Sequence, residues 1–225
     1  MILEEPNLYN KEDVFQSRKE AGIQLGSFLE PLNIDMILAI PNGGIPVVQG
    51  VLEILQDVEF NLLFIRKIQL PLNTESGFGA VTPDGQLILN DRLIQRLQLR
   101  EKSMEIQIER AKEVLNSRRE LFDVPSFEVK DKIVALVDDG IASGYSMIAG
   151  VKWLEQFQPK KIIIAVPTGP KRSLSRIMHE TSNDDIVCLN VRSQSAFAVA
   201  DAYQKWYDVS DKEALSIVKA LQQVK

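Results

Sequence analysis

Five apolar residues that stop abruptly at two acids, Ile133 to Val137 and then Asp138-Asp139, constrain this chain more than any other stretch. An unbroken apolar run of strand length suits a parallel strand covered by helices on both faces, where neither side turns to water. The acids then stand at the strand's carboxyl end, the edge at which open α/β sheets bind ligands. Gly140 to Ser146, GIASGYS, supplies small residues whose backbone can approach a ligand closely, and a helix is expected to begin near Ser143. Free N–H groups and the dipole at a helix start suit a phosphate, and the Ser143 and Ser146 hydroxyls add donors. Carboxylates cannot hold phosphate themselves, so sugar hydroxyls or a hydrated Mg²⁺ are better partners for Asp138 and Asp139. A phosphorylated sugar satisfies both halves of the stretch.

VALVDDGIASGYS, Val134 to Ser146, resembles the phosphoribosyl-diphosphate (PRPP) motif of type I phosphoribosyltransferases. The resemblance implies that Asp138 and Asp139 face the ribose hydroxyls, with Mg²⁺ reaching them through water or PRPP. It also implies that Gly140 and the run Ala142, Ser143, Gly144, Tyr145 and Ser146 bind PRPP around its 5′-phosphate. A second βα turn supports the likeness. Asp35 to Ile40 reads as a buried strand, Pro41-Asn42-Gly43-Gly44 as its turn, and a helix follows from about Ile45 to Leu55. In the family, a similar glycine-bearing loop contacts pyrophosphate through its backbone, which implies binding roles for Asn42, Gly43 and Gly44. Many relatives carry Arg where Asn42 stands, so this chain brings no charge at that position.

Phe60 to Ile65 is the next expected strand, delivering Arg66 and Lys67 to the same sheet edge as counter-charges for pyrophosphate. Leu70 to Ala80 shows neither a helical nor a strand period and reads as an exposed loop able to act as a lid. Residues 80 to 90 place Pro-Asp-Gly between two β-prone runs, a hairpin signal. The whole series RKIQLPLNTESGFGAVTPDG is similar to a narrower group of predicted phosphoribosyltransferases. That likeness implies a loop closing over PRPP and adds Glu75 to Asp138, Asp139 and Lys67 as catalytic candidates.

Helices are expected from Lys11 to Leu29, within Asp91 to Phe122, from Met147 to Phe157, from Lys171 to His179 and from Lys212 to Gln223. Further strands are expected at Lys161 to Val166, ending in a Pro-Thr-Gly-Pro turn, and at Asp185 to Leu189. Arg100, Arg110, Arg118 and Arg119 read as solvated helix charges, and Phe197, Tyr203, Trp206 and Tyr207 as core anchors. His179, the sole histidine, reads as a surface residue, which disfavours a histidine-dependent triad. The repeated βα pattern predicts one α/β domain over residues 1–225, an open, mainly parallel sheet flanked by helices. Added helical and carboxyl-terminal segments would form a hood over it.

Acids outnumber bases 31 to 26, which argues against a general nucleic-acid or anionic-membrane surface. The lone Cys188 excludes an internal disulfide and a multi-thiolate zinc site. No stretch reads as a membrane span or a leader, so a cytoplasmic location is expected. The expected activity is transfer of a 5-phosphoribosyl group from PRPP, with Mg²⁺, to a small nitrogen heterocycle. A PRPP-binding regulator without transfer is the rival, and a homo-oligomer is left open.

Overall fold

The computed structural model describes residues 1–71, 73–181, 185–194 and 196–223, and the side chains of these except at residues 73–76. Six strands form one parallel sheet: β1 (Ile2–Leu3), β2 (Met36–Ala39), β3 (Glu59–Leu62), β7 (Ile133–Val137), β8 (Lys161–Pro170) and β9 (Ile186–Arg192). Their order across the sheet is β1-β9-β8-β7-β2-β3. From β2 the chain moves outward to β3, and from β7 it moves the opposite way to β8 and β9. The strand order therefore reverses between β2 and β7, and the crevice that opens at such a reversal is where ligands bind in sheets of this kind.

The continuous apolar strands are buried on both faces, as their composition requires. Ile37, Ala39, Ala135 and Val137 pack under α1 (Arg18–Leu29) and α2 (Gly44–Ile54), while Met36, Leu38, Val134 and Leu136 pack under α5 (Tyr145–Glu155) and α6 (Lys171–Thr181). Helices α1 and α2 meet at glycines. A Cβ on Gly22 would lie 1.9 Å from the Val47 carbonyl oxygen, and one on Gly50 2.0 Å from that of Lys19. This close approach fixes the first turn of α1, with Arg18 at its start, against the centre of the sheet.

A smaller antiparallel sheet holds β4 (Arg66–Leu70), β5 (Asn73–Val81) and β6 (Leu87–Leu89) in that order. The expected exposed loop at Leu70 to Ala80 is thus largely a strand. Gly77 and Gly79 serve close backbone approach rather than looseness, since a Cβ on Gly79 would lie 2.5 Å from the Ile88 carbonyl oxygen, and Phe78 between them is fully buried. The Pro-Asp-Gly turn forms as expected, with Gly85 at φ +85°. Helices α3 (Asp91–Leu97) and α4 (Glu101–Phe122) follow, and α7 (Asp211–Gln223) is the last described element.

Other boundaries move for physical reasons. Helix α1 begins at Arg18 rather than Lys11 because the Ser17 side chain caps it by accepting from the Glu20 N–H. Strand β8 runs on through Pro167-Thr168-Gly169-Pro170, expected as a turn, because β9 continues beside it and Thr168 is buried against Asn190. The chain leaves the large sheet after Leu62, so Arg66 and Lys67 open a strand of the small one. Of the four expected aromatic anchors only Tyr203 is buried; Trp206 is 38% and Tyr207 51% exposed.

Candidate functional site

The loop from Gly140 to Gly144 joins β7 to α5 and is held from behind. The Ala142 carbonyl accepts from the Ser173 hydroxyl at 2.7 Å, and the Ser143 carbonyl accepts from Arg176 Nη1 at 2.9 Å. A trans peptide points its N–H opposite its C=O. Turning these two carbonyls toward α6 therefore aims the Ser143 and Gly144 N–H groups away from it. Gly144 adopts φ +89° immediately before the first residue of α5, a conformation that L side chains rarely take. The helix dipole adds to the field these donors create. Ser143 and Ser146 are half-buried beside them, while Tyr145 turns inward under the Arg176 guanidinium, 5.6 Å from its ring centre.

Asp138 and Asp139 occupy the carboxyl end of β7 in different settings. Asp138 Oδ1 accepts from the Asp139 N–H at 2.8 Å. Burial, and then the charge of Asp139, push the Asp138 carboxyl well above the usual aspartate range. Asp139 Oδ2 is bound to Arg18 Nε at 2.8 Å, and burial raises its carboxyl too, against the pull of that guanidinium. Arg18 is 5% exposed. Its Nη1 donates to the Tyr207 carbonyl at 2.9 Å, and its plane lies 3.9 Å from the Trp206 ring centre. Tyr203 closes the arrangement by donating from its hydroxyl to the Asp139 carbonyl at 2.5 Å. The aromatic carboxyl-terminal segment, read from sequence as core, is thus a clamp on the second acid.

The turn after β2 abuts the acids directly: a Cβ on Gly43 would lie 2.1 Å from Asp139 Oδ2, and one on Gly44 2.7 Å from the Val137 carbonyl oxygen. Asn42 Nδ2 donates to the Val209 carbonyl at 3.0 Å and to Asp211 Oδ1 at 2.7 Å, while its own Oδ1 is buried with no donor facing it among the described residues. Arg66 and Lys67 lie on opposite faces of β4, as neighbours on a strand must. Arg66 joins Pro41, Phe64, Ile65, Leu115 and Arg118 around a small cleft. Burial, then the charge of Arg118, lower its pKa. Lys67 pairs across the strands with Ala80, which packs in the core beneath α5, so this residue lies on the α5 side. Glu75 falls in β5, and its side chain lies outside the described residues.

Two residues that matter here escaped sequence reasoning. Arg18 carried no signal beyond its place after a capping serine. Arg118 was expected to be solvated, yet its side chain is 23% exposed and pairs with Asp211 at 3.5 Å; Arg119 likewise donates to the Pro83 carbonyl at 2.8 Å rather than to water alone. Among the described residues no three His, Cys, Asp or Glu side chains group as a metal cage. The hard oxygen donors available are the adjacent Asp138 and Asp139 and, in the neighbouring turn, the unpartnered Asn42 Oδ1. Such a sparse set suits Mg²⁺, which keeps most of its waters and takes further ligands from substrate phosphates.

Comparison with known proteins bears on family and fold. Residues 21–203 match the family profile described as "Phosphoribosyl transferase domain". Two Mycobacterium tuberculosis proteins, named "Putative phosphoribosyl transferase MT0597" (strain CDC 1551 / Oshkosh) and "Putative phosphoribosyl transferase Rv0571c" (strain ATCC 25618 / H37Rv), are each 31% identical to it over 210 residues. The match covers 91% of this chain and 46% of theirs, so the chain spans under half the length of these curated relatives. The crystal structure of TT1426 from Thermus thermophilus is similar with a TM-score of 0.72 and 29% identity, over 92% of this chain and 98% of that one. AQ2163 from Aquifex aeolicus shares the fold at a TM-score of 0.51 and 14% identity, over 83% and 78% of the two chains. Among the described residues no helix is long and apolar enough to cross a membrane.

Proposed function

This chain belongs to the phosphoribosyl transferase family, and we propose that it transfers a 5-phosphoribosyl group from PRPP to a nitrogen of a small heterocycle, releasing pyrophosphate. The observation that carries this reading is the junction of opposites at the end of β7. Donors at Ser143 and Gly144 suit a phosphate, and two acids a few residues earlier suit the hydroxyls of the sugar attached to it. A phosphosugar is the simplest ligand that carries both groups.

In the transfer, the bond between the anomeric carbon and pyrophosphate oxygen breaks, its electron pair leaves with pyrophosphate, and a nitrogen lone pair of the acceptor forms the new bond. Positive charge develops on the ribose ring and negative charge on the leaving group. The protein's task is to position and to stabilise charge rather than to supply a nucleophile. The Ser143 to Ser146 backbone and hydroxyls hold the 5′-phosphate. Asp138 orients ribose hydroxyls, while Asp139, anchored by Arg18, keeps a negative field beneath the ring. The Gly43 N–H and Arg66 face the pyrophosphate and Lys67 approaches from the other face of β4, while the Gly44 N–H is taken by the Ile40 carbonyl at 3.1 Å. Glu75, in β5, is proposed to act from the segment that would cover the substrate. Mg²⁺, held through Asp138, Asp139 and Asn42 oxygens or their waters, would supply further charge neutralisation for the phosphates when bound.

The experiment that tests this reading is pyrophosphate release from PRPP and Mg²⁺ across a panel of purines, pyrimidines and related heterocycles. At least one acceptor is expected to give release above the PRPP-only background. A flat panel with saturable PRPP binding would replace the transferase by a PRPP-responsive regulator.

A further inference from the structure

The turn after β2, Pro41-Asn42-Gly43-Gly44, contains no positive side chain, yet the cleft beside it is lined by two arginines from other elements, Arg66 and Arg118. Arg66 opens β4, whereas Arg118 comes from the last turns of α4, far along the chain from it. The carboxylate that faces them is Asp211, at the start of α7. One oxygen of it, Oδ1, is shared: Asn42 Nδ2 lies at 2.7 Å and Arg118 Nη2 at 3.5 Å. The first is a strong hydrogen bond, and the second is longer than a charge-assisted bond of good geometry. Asp211 is 43% exposed, so its charge is partly screened by water, whereas Arg118 is 23% exposed and Arg66 is half-buried. Arg118 is thus only loosely paired with a half-exposed carboxylate, and Arg66 beside it has no bond to that group among those the structure shows. Burial, and then the charge of Arg118, lower the Arg66 pKa.

We propose that Arg118 is a diphosphate-binding residue of the same site, which forms with Arg66 a two-arginine clamp where the turn after β2 offers only backbone and amide groups. The proposal rests on the PRPP reading above and adds to it which residues take the leaving group's charge. Asp211 acts as a stand-in anion: it holds Arg118 near the cleft when the site is empty and yields it to phosphate oxygens, which accept from a guanidinium in a bidentate manner. Asn42 then has a positioning role, since its amide fixes the carboxylate from which Arg118 departs.

The test is calorimetric binding of three probes with Mg²⁺ present: inorganic pyrophosphate, PRPP, and ribose 5-phosphate, which lacks the diphosphate. Arg118→Ala is expected to weaken pyrophosphate and PRPP by about ten- to hundredfold and to leave ribose 5-phosphate unchanged. Arg118→Lys should recover part of that loss. Arg110→Ala, on an exposed position of the same helix, should change none of the three. Asp211→Asn keeps an acceptor for Asn42 but removes the competing charge, so it should tighten pyrophosphate binding, a gain that a merely structural contact would not produce. Unchanged pyrophosphate affinity in Arg118→Ala, or an equal loss of ribose 5-phosphate, overturns the clamp while leaving the PRPP reading standing. Failure of the wild-type protein to bind either PRPP or ribose 5-phosphate overturns both.

Discussion

The two acids at the end of β7 differ because of what each touches. Asp138 is buried beside another carboxylate, so it holds its proton to higher pH in the fold than in the unfolded chain. The folded state then binds the extra proton, and stability falls as pH rises from the ordinary aspartate value of 3.8 through the raised one. Asp139 contributes with the same sign, more weakly, because Arg18 opposes the effect of burial. Asp138→Asn is therefore expected to raise the thermal midpoint at neutral pH and to flatten its decline as pH rises above the ordinary aspartate value. A variant less stable than wild type at pH 7 would contradict this account of the acid. Arg18 and Asp139 form a pair in which either partner alone is costly. Arg18→Ala should lower stability by about 3 kcal/mol, because it strands a buried carboxylate. Adding Asp139→Asn in that background should recover most of the loss, as a denaturant double-mutant cycle would measure; strictly additive losses would mean the pair is not coupled.

At the scale of elements, the loop after β7 owes its shape to a helix outside it. Ser173 and Arg176 on α6 hold the two carbonyls whose orientation turns the Ser143 and Gly144 N–H groups outward. Ser173→Ala combined with Arg176→Met should weaken PRPP and ribose 5-phosphate in parallel, by about tenfold, since both ligands carry the 5′-phosphate. A selective loss of PRPP alone would mean these residues serve the diphosphate instead. The loop itself was legible in the sequence because strand, acids, small residues and helix start lie within one contiguous stretch. So were the parallel sheet and the turn after β2, each announced by an apolar run ending in glycine. The supports were not legible, because Arg18 meets Asp139 across 121 residues of chain and Asn42 meets Asp211 across 169. Local pattern carries no information about such pairs. Strand β5 was misread for a different reason: Gly77 and Gly79 look like loop residues, yet here glycine admits neighbouring backbone and the Lys67 stem at contact distance.

For the molecule as a whole, the surroundings of the two acids are a meeting of four stretches: the turn after β2, the loop after β7, the start of α1, and the carboxyl-terminal segment from Tyr203 to Asp211. The last two reach beyond the residues matched to the family profile, which runs from 21 to 203. The family portion thus brings the loop after β7 and the acids, while Arg18, Trp206, Tyr207 and Asp211 tie the site in place from the flanks. The central claim is that this assembly binds PRPP through the end of β7. Its most direct test is calorimetric titration of PRPP, with Mg²⁺, into the wild-type protein and into Asp138→Asn/Asp139→Asn, with folding of both checked by circular dichroism. The account predicts saturable wild-type binding that the double variant weakens by about a hundredfold or more, as the loss of two charge-assisted contacts to ribose hydroxyls or hydrated metal requires. Undiminished affinity in a folded double variant would contradict it.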